Sequence, residues 1–126
     1  MKIIEEVHNA NFTFNDLKPD NIMLSSKKDQ SIKVTLIDFG YAKKFRRRNV
    51  HIGKSPLESF MGNFLFASPH QMDFYETGRR DDLYSLMYLM IYLFNRGELP
   101  GLKALDSDED DIVDLFEIVA NYKKAY

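Results

Sequence analysis

Cysteine is absent from this chain of 126 residues, which excludes a disulfide framework and thiolate chemistry. No secretory leader is visible. Met1 to Asn11 is mixed polar and lacks the apolar core of a signal peptide. The longest apolar run, Leu86 to Phe94, is far too short to span a bilayer. Neither sign of charge dominates: the net charge is -2, which argues against a bulk nucleic-acid binder. His8, His51 and His70 have no metal-ligand spacing. There is no internal repeat, and no low-complexity tract beyond one acidic run. These absences point to a reducing intracellular compartment, with neither a membrane nor a nucleic-acid partner. A cytoplasmic place is expected, and Arg46-Arg47-Arg48 leaves the nucleus open.

The composition, 44% hydrophobic and 29% charged, suits one modest globular domain. Charge is unevenly spread. Lys43, Lys44, Arg46, Arg47, Arg48 and Lys54 crowd one segment, and Asp106, Asp108, Glu109, Asp110, Asp111 and Asp114 another. Met1 to His8 reads as the end of a helix, with Ile3, Ile4 and Val7 on one face. Ile22-Met23-Leu24 and Ile32 to Leu36 read as two strands of a hairpin around a polar turn. Residues 41 to about 78 show no sustained period, and a loop that long is uncommon unless functional. Asp81-Asp82 then opens a helix to about Asn95. It is apolar on nearly every side, so burial all round is expected. Ser107 to Asp110 resembles a capping box. Ile112, Leu115, Phe116, Val119 and Tyr122 follow as a helical stripe.

The chemistry is concentrated in Asn15-Asp16-Leu17-Lys18-Pro19-Asp20-Asn21 and, across the hairpin, Asp38-Phe39-Gly40. Together they present a carboxylate, an ammonium, an amide and a second carboxylate. Such a set can orient a hydroxyl nucleophile, contact a phosphate and hold magnesium through hard oxygen ligands. Any one of these residues alone is commonly a turn or cap residue. Asp82, for instance, is explained by a helix N-terminus alone. Asp16, Lys18, Asn21 and Asp38 in register make coincidence the poorer account.

Asp-Leu-Lys-Pro-Asp-Asn followed by Asp-Phe-Gly resembles the catalytic loop and metal-binding motif of protein kinases. Residues 38 to 46, then Arg79 to Leu83, then Tyr92 to Ala104, look like the casein kinase 1 family. Gly62-Asn63-Phe64-Leu65-Phe66-Ala67-Ser68 stands where that family has Gly-Thr-Ala-Arg-Tyr-Ala-Ser. The resemblance implies an α+β fold, mainly α: the core of a kinase C-terminal lobe whose small β-hairpin carries the catalytic and metal-binding loops. It implies ATP and magnesium as cofactors and a protein substrate with a serine or threonine hydroxyl. Asp16 would orient that hydroxyl and accept its proton, and Lys18 would reach the transferring phosphate. Asn21 and Asp38 would hold magnesium. Met23 would floor the adenine pocket, with Leu89 and Leu93 supporting it from the helix. Phe39 should stack on Phe14, and Asp82 should tie the catalytic-loop backbone to the helix.

The match has departures. Residues 1–126 contain no Gly-rich loop, strand lysine or partnering glutamate, so a partial domain without an N-lobe is expected, inactive in isolation. Phe14-Asn15 replaces the usual His-Arg, and Asn15 cannot pair with a loop phosphate as arginine does. Asn63 replaces the threonine that supports the catalytic residues. Leu65 replaces an anion-binding arginine, leaving Lys43, Lys44, Arg46, Arg47 and Arg48 to meet an acidic partner or substrate. The alternative reading is a pseudokinase-like binding module whose basic loop docks an acidic protein.

Overall fold

The computed structural model describes residues 2–100, 102 and 112–125, with residues 112–116 described by backbone alone. Helix α1 (Lys2–Asn9) places Ile4 in the core and packs Ile3 and Val7 beside it, as the apolar spacing predicts. Asn11 closes the helix in the left-handed region at φ 66°, a conformation asparagine tolerates. The chain enters β1 (Phe12–Thr13), crosses residues 14–18 and makes a short 3-10 turn over Pro19–Asn21. It then forms the hairpin of β2 (Ile22–Ser26) and β3 (Ile32–Leu36). The hairpin register pairs Ile22 with Leu36 and Leu24 with Val34. One end of that face enters the core at Leu36, and the other runs out to Leu24, Val34 and Ile32 in solvent. Asp29 accepts hydrogen bonds from the Ser31 amide and hydroxyl at the turn, which hold its carboxyl below the usual range.

The segment without period is not a featureless loop. Lys43–Lys44 form β4 and pair with β1, while Arg46–Arg47 (β5) pair with Val50–His51 (β6). Arg48 and Asn49 make the intervening turn, both at positive φ, the signature of a two-residue hairpin loop matched to strand twist. A short helix α2 (Pro69–Met72) follows. Ser68 caps it, its Oγ accepting from the Gln71 amide at 3.0 Å.

Helix α3 spans Arg79–Phe94. The expectation of burial all round is corrected here. Asp81, Asp82, Ser85 and Leu89, spaced close to four apart, form one buried stripe. Leu83, Met87 and Met90 on other faces are exposed, Leu93 is 62% exposed and Phe94 84%. Leu93 is therefore not packed beneath the hairpin as Leu89 is. Helix α4 (Ile112–Ala125) follows, with Val119 fully buried. The expected capping box at 107–110 lies outside the described residues, as do the side chains of Ile112, Leu115 and Phe116.

Among the described residues, two apolar clusters organise the fold. One joins Ile4, Phe14, Leu17, Leu36, Phe66 and Leu89 under the 14–21 loop, and the other joins Met72, Leu99, Leu102, Val119 and Ala120 between α2 and α4. Burying an aromatic ring such as Phe14 contributes about 1.5–3 kcal/mol. The first cluster thus anchors the loop through residues on either side of Asp16.

Candidate active site

The hairpin brings the two sequence motifs together. The 3-10 turn ends at Asn21, whose carbonyl accepts from the Ile37 amide at 3.0 Å, so Asp38 lies beside Asn21 at the base of the hairpin. Asp16 is buried. Its Oδ2 accepts from Asn21 Nδ2 at 2.8 Å and faces Lys18 Nζ at 3.1 Å. Asn21 Nδ2 also donates to the Asp16 carbonyl at 2.8 Å. Lys18 is thus paired with Asp16 directly. The other carboxylate oxygen, Oδ1 of Asp16, is buried and has no hydrogen-bond partner. A buried acceptor without a donor costs about 1–3 kcal/mol. An incoming hydroxyl would remove that cost by donating to it.

Asp38 adopts a left-handed conformation at φ 61°, and its Oδ1 accepts from the Gly40 amide at 3.0 Å. That bond fixes the carboxylate through Oδ1, and its second oxygen has no hydrogen-bond partner among the described residues. Asn21 commits its amide nitrogen to Asp16, so its amide oxygen is the atom left for another ligand. One carboxylate and one amide oxygen fit magnesium, which keeps several waters and takes phosphate oxygens as its other ligands. Among the described residues no group of three or more His, Cys, Asp or Glu gathers as a metal cage.

Asp82 holds the loop from below. It is 1% exposed and accepts from the Phe14 amide (Oδ2) and the Asn15 amide (Oδ1), both at 2.8 Å. His8 Nε2 lies 2.8 Å from Asp82 Oδ2. A carboxylate can only accept, so His8 donates from Nε2 in this contact. Asp81 acts separately: Oδ1 accepts from Ser68 Oγ at 2.6 Å, and Oδ2 from the Gly78 amide at 2.7 Å. The adjacent acids therefore tie α3 to different segments. Phe39 meets Phe14 edge to face, with centroids 5.1 Å apart at 82°, rather than in a parallel stack.

Asn15 fills the arginine position differently. It sits at φ 67°, its Nδ2 donates to the Tyr41 carbonyl at 2.8 Å, and its own carbonyl accepts from Gln71 Nε2 at 3.1 Å. Gln71 also donates to the Met61 carbonyl at 2.6 Å. Gly62 completes that contact. At φ +113°, a Cβ there would sit 2.6 Å from both the Asn15 carbonyl oxygen and Gln71 Nε2. Asn63 Oδ1 accepts from the Leu65 amide at 2.9 Å, so its side chain closes its own turn. Met23, opposite Thr35 near the base of the hairpin, is 55% exposed.

A family model described as protein kinase domain matches residues 1–125. The chain belongs to the protein kinase family. The kinase domain has an α+β fold of helices and small antiparallel sheets, and its activity class is phosphoryl transfer from ATP to protein. Within this kinase, residues that sequence reasoning passed over support the loop: His8, Gln71, Gly62 and Lys123. Each acts across a long sequence separation, His8 to Asp82 being 74 residues. No local spacing signals such contacts. Glycine at 62, ahead of the Asn-Phe-Leu-Phe run, was the one local hint.

The basic segment is partly neutralised. Lys43 lies 3.5 Å from Glu76, and Lys44 sits over the Phe12 ring. Arg46 Nε donates to His51 Nε2 at 3.3 Å, and the Arg46 and Arg79 guanidiniums both lie over Phe45. Burial and the nearby Arg80 charge hold His70 below its usual range.

Proposed function

We propose that this kinase domain is of the casein kinase 1-like serine/threonine type and transfers phosphate from magnesium-ATP to a serine or threonine hydroxyl on a protein. One observation carries the reading. Asp16 has one carboxylate oxygen held by Asn21 and Lys18 and the other buried without a donor. That is the arrangement of a general base awaiting a hydroxyl. Asp16 receives the hydroxyl proton on Oδ1 while Asn21 and Lys18 keep the carboxylate oriented through Oδ2. Lys18, partly open to solvent, is placed to turn its ammonium toward the phosphoryl group as negative charge develops. Asn21 and Asp38 would hold magnesium, which when bound neutralises phosphate charge. Met23 would contact the adenine ring.

Lys18 followed by Pro19 resembles the serine/threonine-kinase pattern, and that resemblance supports serine or threonine over tyrosine as acceptor. The test is phosphate incorporation into matched Ser, Thr and Tyr peptides by the natural gene product that carries these residues. Preference for tyrosine would overturn the assignment. Arg46, Arg47, Arg48 and Lys54 have no carboxylate partner among the described residues, which favours an acidic protein partner or substrate in an intracellular setting. The same cations favour the second reading, a protein-binding role without transfer. Residues 1–126 by themselves are expected to bind magnesium-ATP too weakly for a thermal shift, because the nucleotide-clamping motifs are not among them. A large shift at micromolar nucleotide would contradict this.

A further inference from the structure

Lys123 is a buried cation with no carboxylate beside it among the described residues. It projects from α4, is 3% exposed, and donates from Nζ to the Phe64 and Ala67 carbonyls, each at 2.7 Å. Its ammonium also lies 4.5 Å from the centre of the Tyr88 ring of α3. Burying an ammonium is costly unless its donors are used. Here two donors meet carbonyls and the charge meets an aromatic face. The neighbouring Lys124 is anchored separately, 2.6 Å from Asp73 at the end of α2.

We infer that Lys123 is a positioning residue for the protein substrate: it sets the 62–68 segment against the catalytic loop and so shapes the surface over which the acceptor peptide reaches Asp16. This rests on the kinase reading above. The contacts form a continuous relay. Lys123 holds Phe64 and Ala67; two residues earlier Gly62 abuts the Asn15 carbonyl, and Gln71 bridges that carbonyl to Met61. Asn15 directly precedes Asp16. Phe66, between the two clamped carbonyls, is buried in the cluster that includes Phe14 and Leu17. Movement of the segment would therefore be felt on both sides of Asp16. The clamp needs two N–H donors, which both the ammonium and the neutral amine possess. Burial pushes Lys123 down to about 7, and the geometry holds in either state.

Because the chain has no cysteine, Lys123→Cys followed by aminoethylation would rebuild a lysine-like side chain at this position alone. Hydrogen exchange at the Leu65, Phe66 and Ala67 amides, all bonded to Asn63, is the first readout. In K123C these amides are expected to exchange about fivefold faster or more, the change that matches one lost net hydrogen bond. Aminoethylation should restore protection. If K123C does not fold, Lys123→Met fills the space without donors, and its exchange is compared directly with wild type. In the transfer-competent gene product, the KM for peptide should rise several-fold while the KM for magnesium-ATP stays put. Unchanged exchange, or a change that aminoethylation fails to reverse, overturns the clamp. Equal rises in both KM values overturn its role toward the protein substrate. If the wild type transfers no phosphate, the kinase reading fails, and the exchange data still decide the clamp.

Discussion

Asp82→Asn is the sharpest perturbation of the scaffold. The change preserves shape and removes one acceptor and the charge. Asp82 now receives three donors: the Phe14 and Asn15 amides and His8 Nε2. Asparagine offers one acceptor oxygen, and its Nδ2 is a donor. Whichever way the amide is turned, one backbone N–H faces another donor. His8 can adapt by changing tautomer; a backbone amide cannot. Hydrogen bonds to a charged group contribute about 1.5–3 kcal/mol each, and a buried unsatisfied donor costs about 1–3 kcal/mol. Losing one bond and weakening the other gives a destabilisation of about 3–5 kcal/mol, in line with breaking a buried charged network. A domain stable by about 5–15 kcal/mol would lose about a fifth of that or more. Denaturant unfolding measures the total, and exchange at Phe14 and Asn15 locates it. A loss below about 1 kcal/mol, or one without faster exchange at those two amides, would refute the role given to Asp82.

Three further outcomes follow from the same contacts. Gly62→Ala forces a Cβ to 2.6 Å from two polar atoms at a positive φ, so it should cost about 2 kcal/mol or more, read by thermal unfolding; a neutral result would mean the segment is not held against Asn15. Lys123 has an ordinary value of 10.5 and a folded value of about 7, so the unfolded chain binds the extra proton between those limits and stability rises with pH across that window. Wild type should gain on K123M from pH 7 to 9 by no more than about 1.4 kcal/mol per pH unit, less because the carbonyls and Tyr88 favour the ammonium; parallel denaturation midpoints would contradict it. Asn15→Arg should break the bond to the Tyr41 carbonyl and lower stability, and phosphorylating the protein should not raise the activity of the wild type; an increase would show a phosphate contact that does not involve Asn15.

Local patterns in the sequence carry much of this fold. The period of Ile3, Ile4 and Val7 marks α1, the alternation of Ile32 to Leu36 gives β3 with its observed bounds, and Asp81 to Asn95 locates α3 to within two residues. Residues 41 to 78 were opaque because their order comes from partners elsewhere in the chain. Lys43–Lys44 are strand only because β1 lies alongside, and Gln71 is structured by carbonyls at positions 15 and 61. The apolar α3 misleads for the opposite reason. Its composition suggests burial on every side, yet the core clusters contact one stripe, leaving Leu93 and Phe94 in solvent. At the site, the spacing of Asp16, Lys18 and Asn21 was readable because one short turn joins them. The supports from His8 and Lys123 bridge 74 and up to 59 residues, and no window of sequence spans that.

Asp16 is the proposed base of a phosphoryl-transfer site. The most direct test of that role compares wild type with Asp16→Asn in the natural gene product carrying these residues, following transfer from magnesium-ATP to a serine peptide. Asparagine keeps the size and a partner for Asn21 but cannot accept the proton. The variant should keep an intact fold and bind nucleotide within about twofold of wild type, with a transfer rate lower by about 10²–10⁴. A variant that transfers at the wild-type rate would contradict that role.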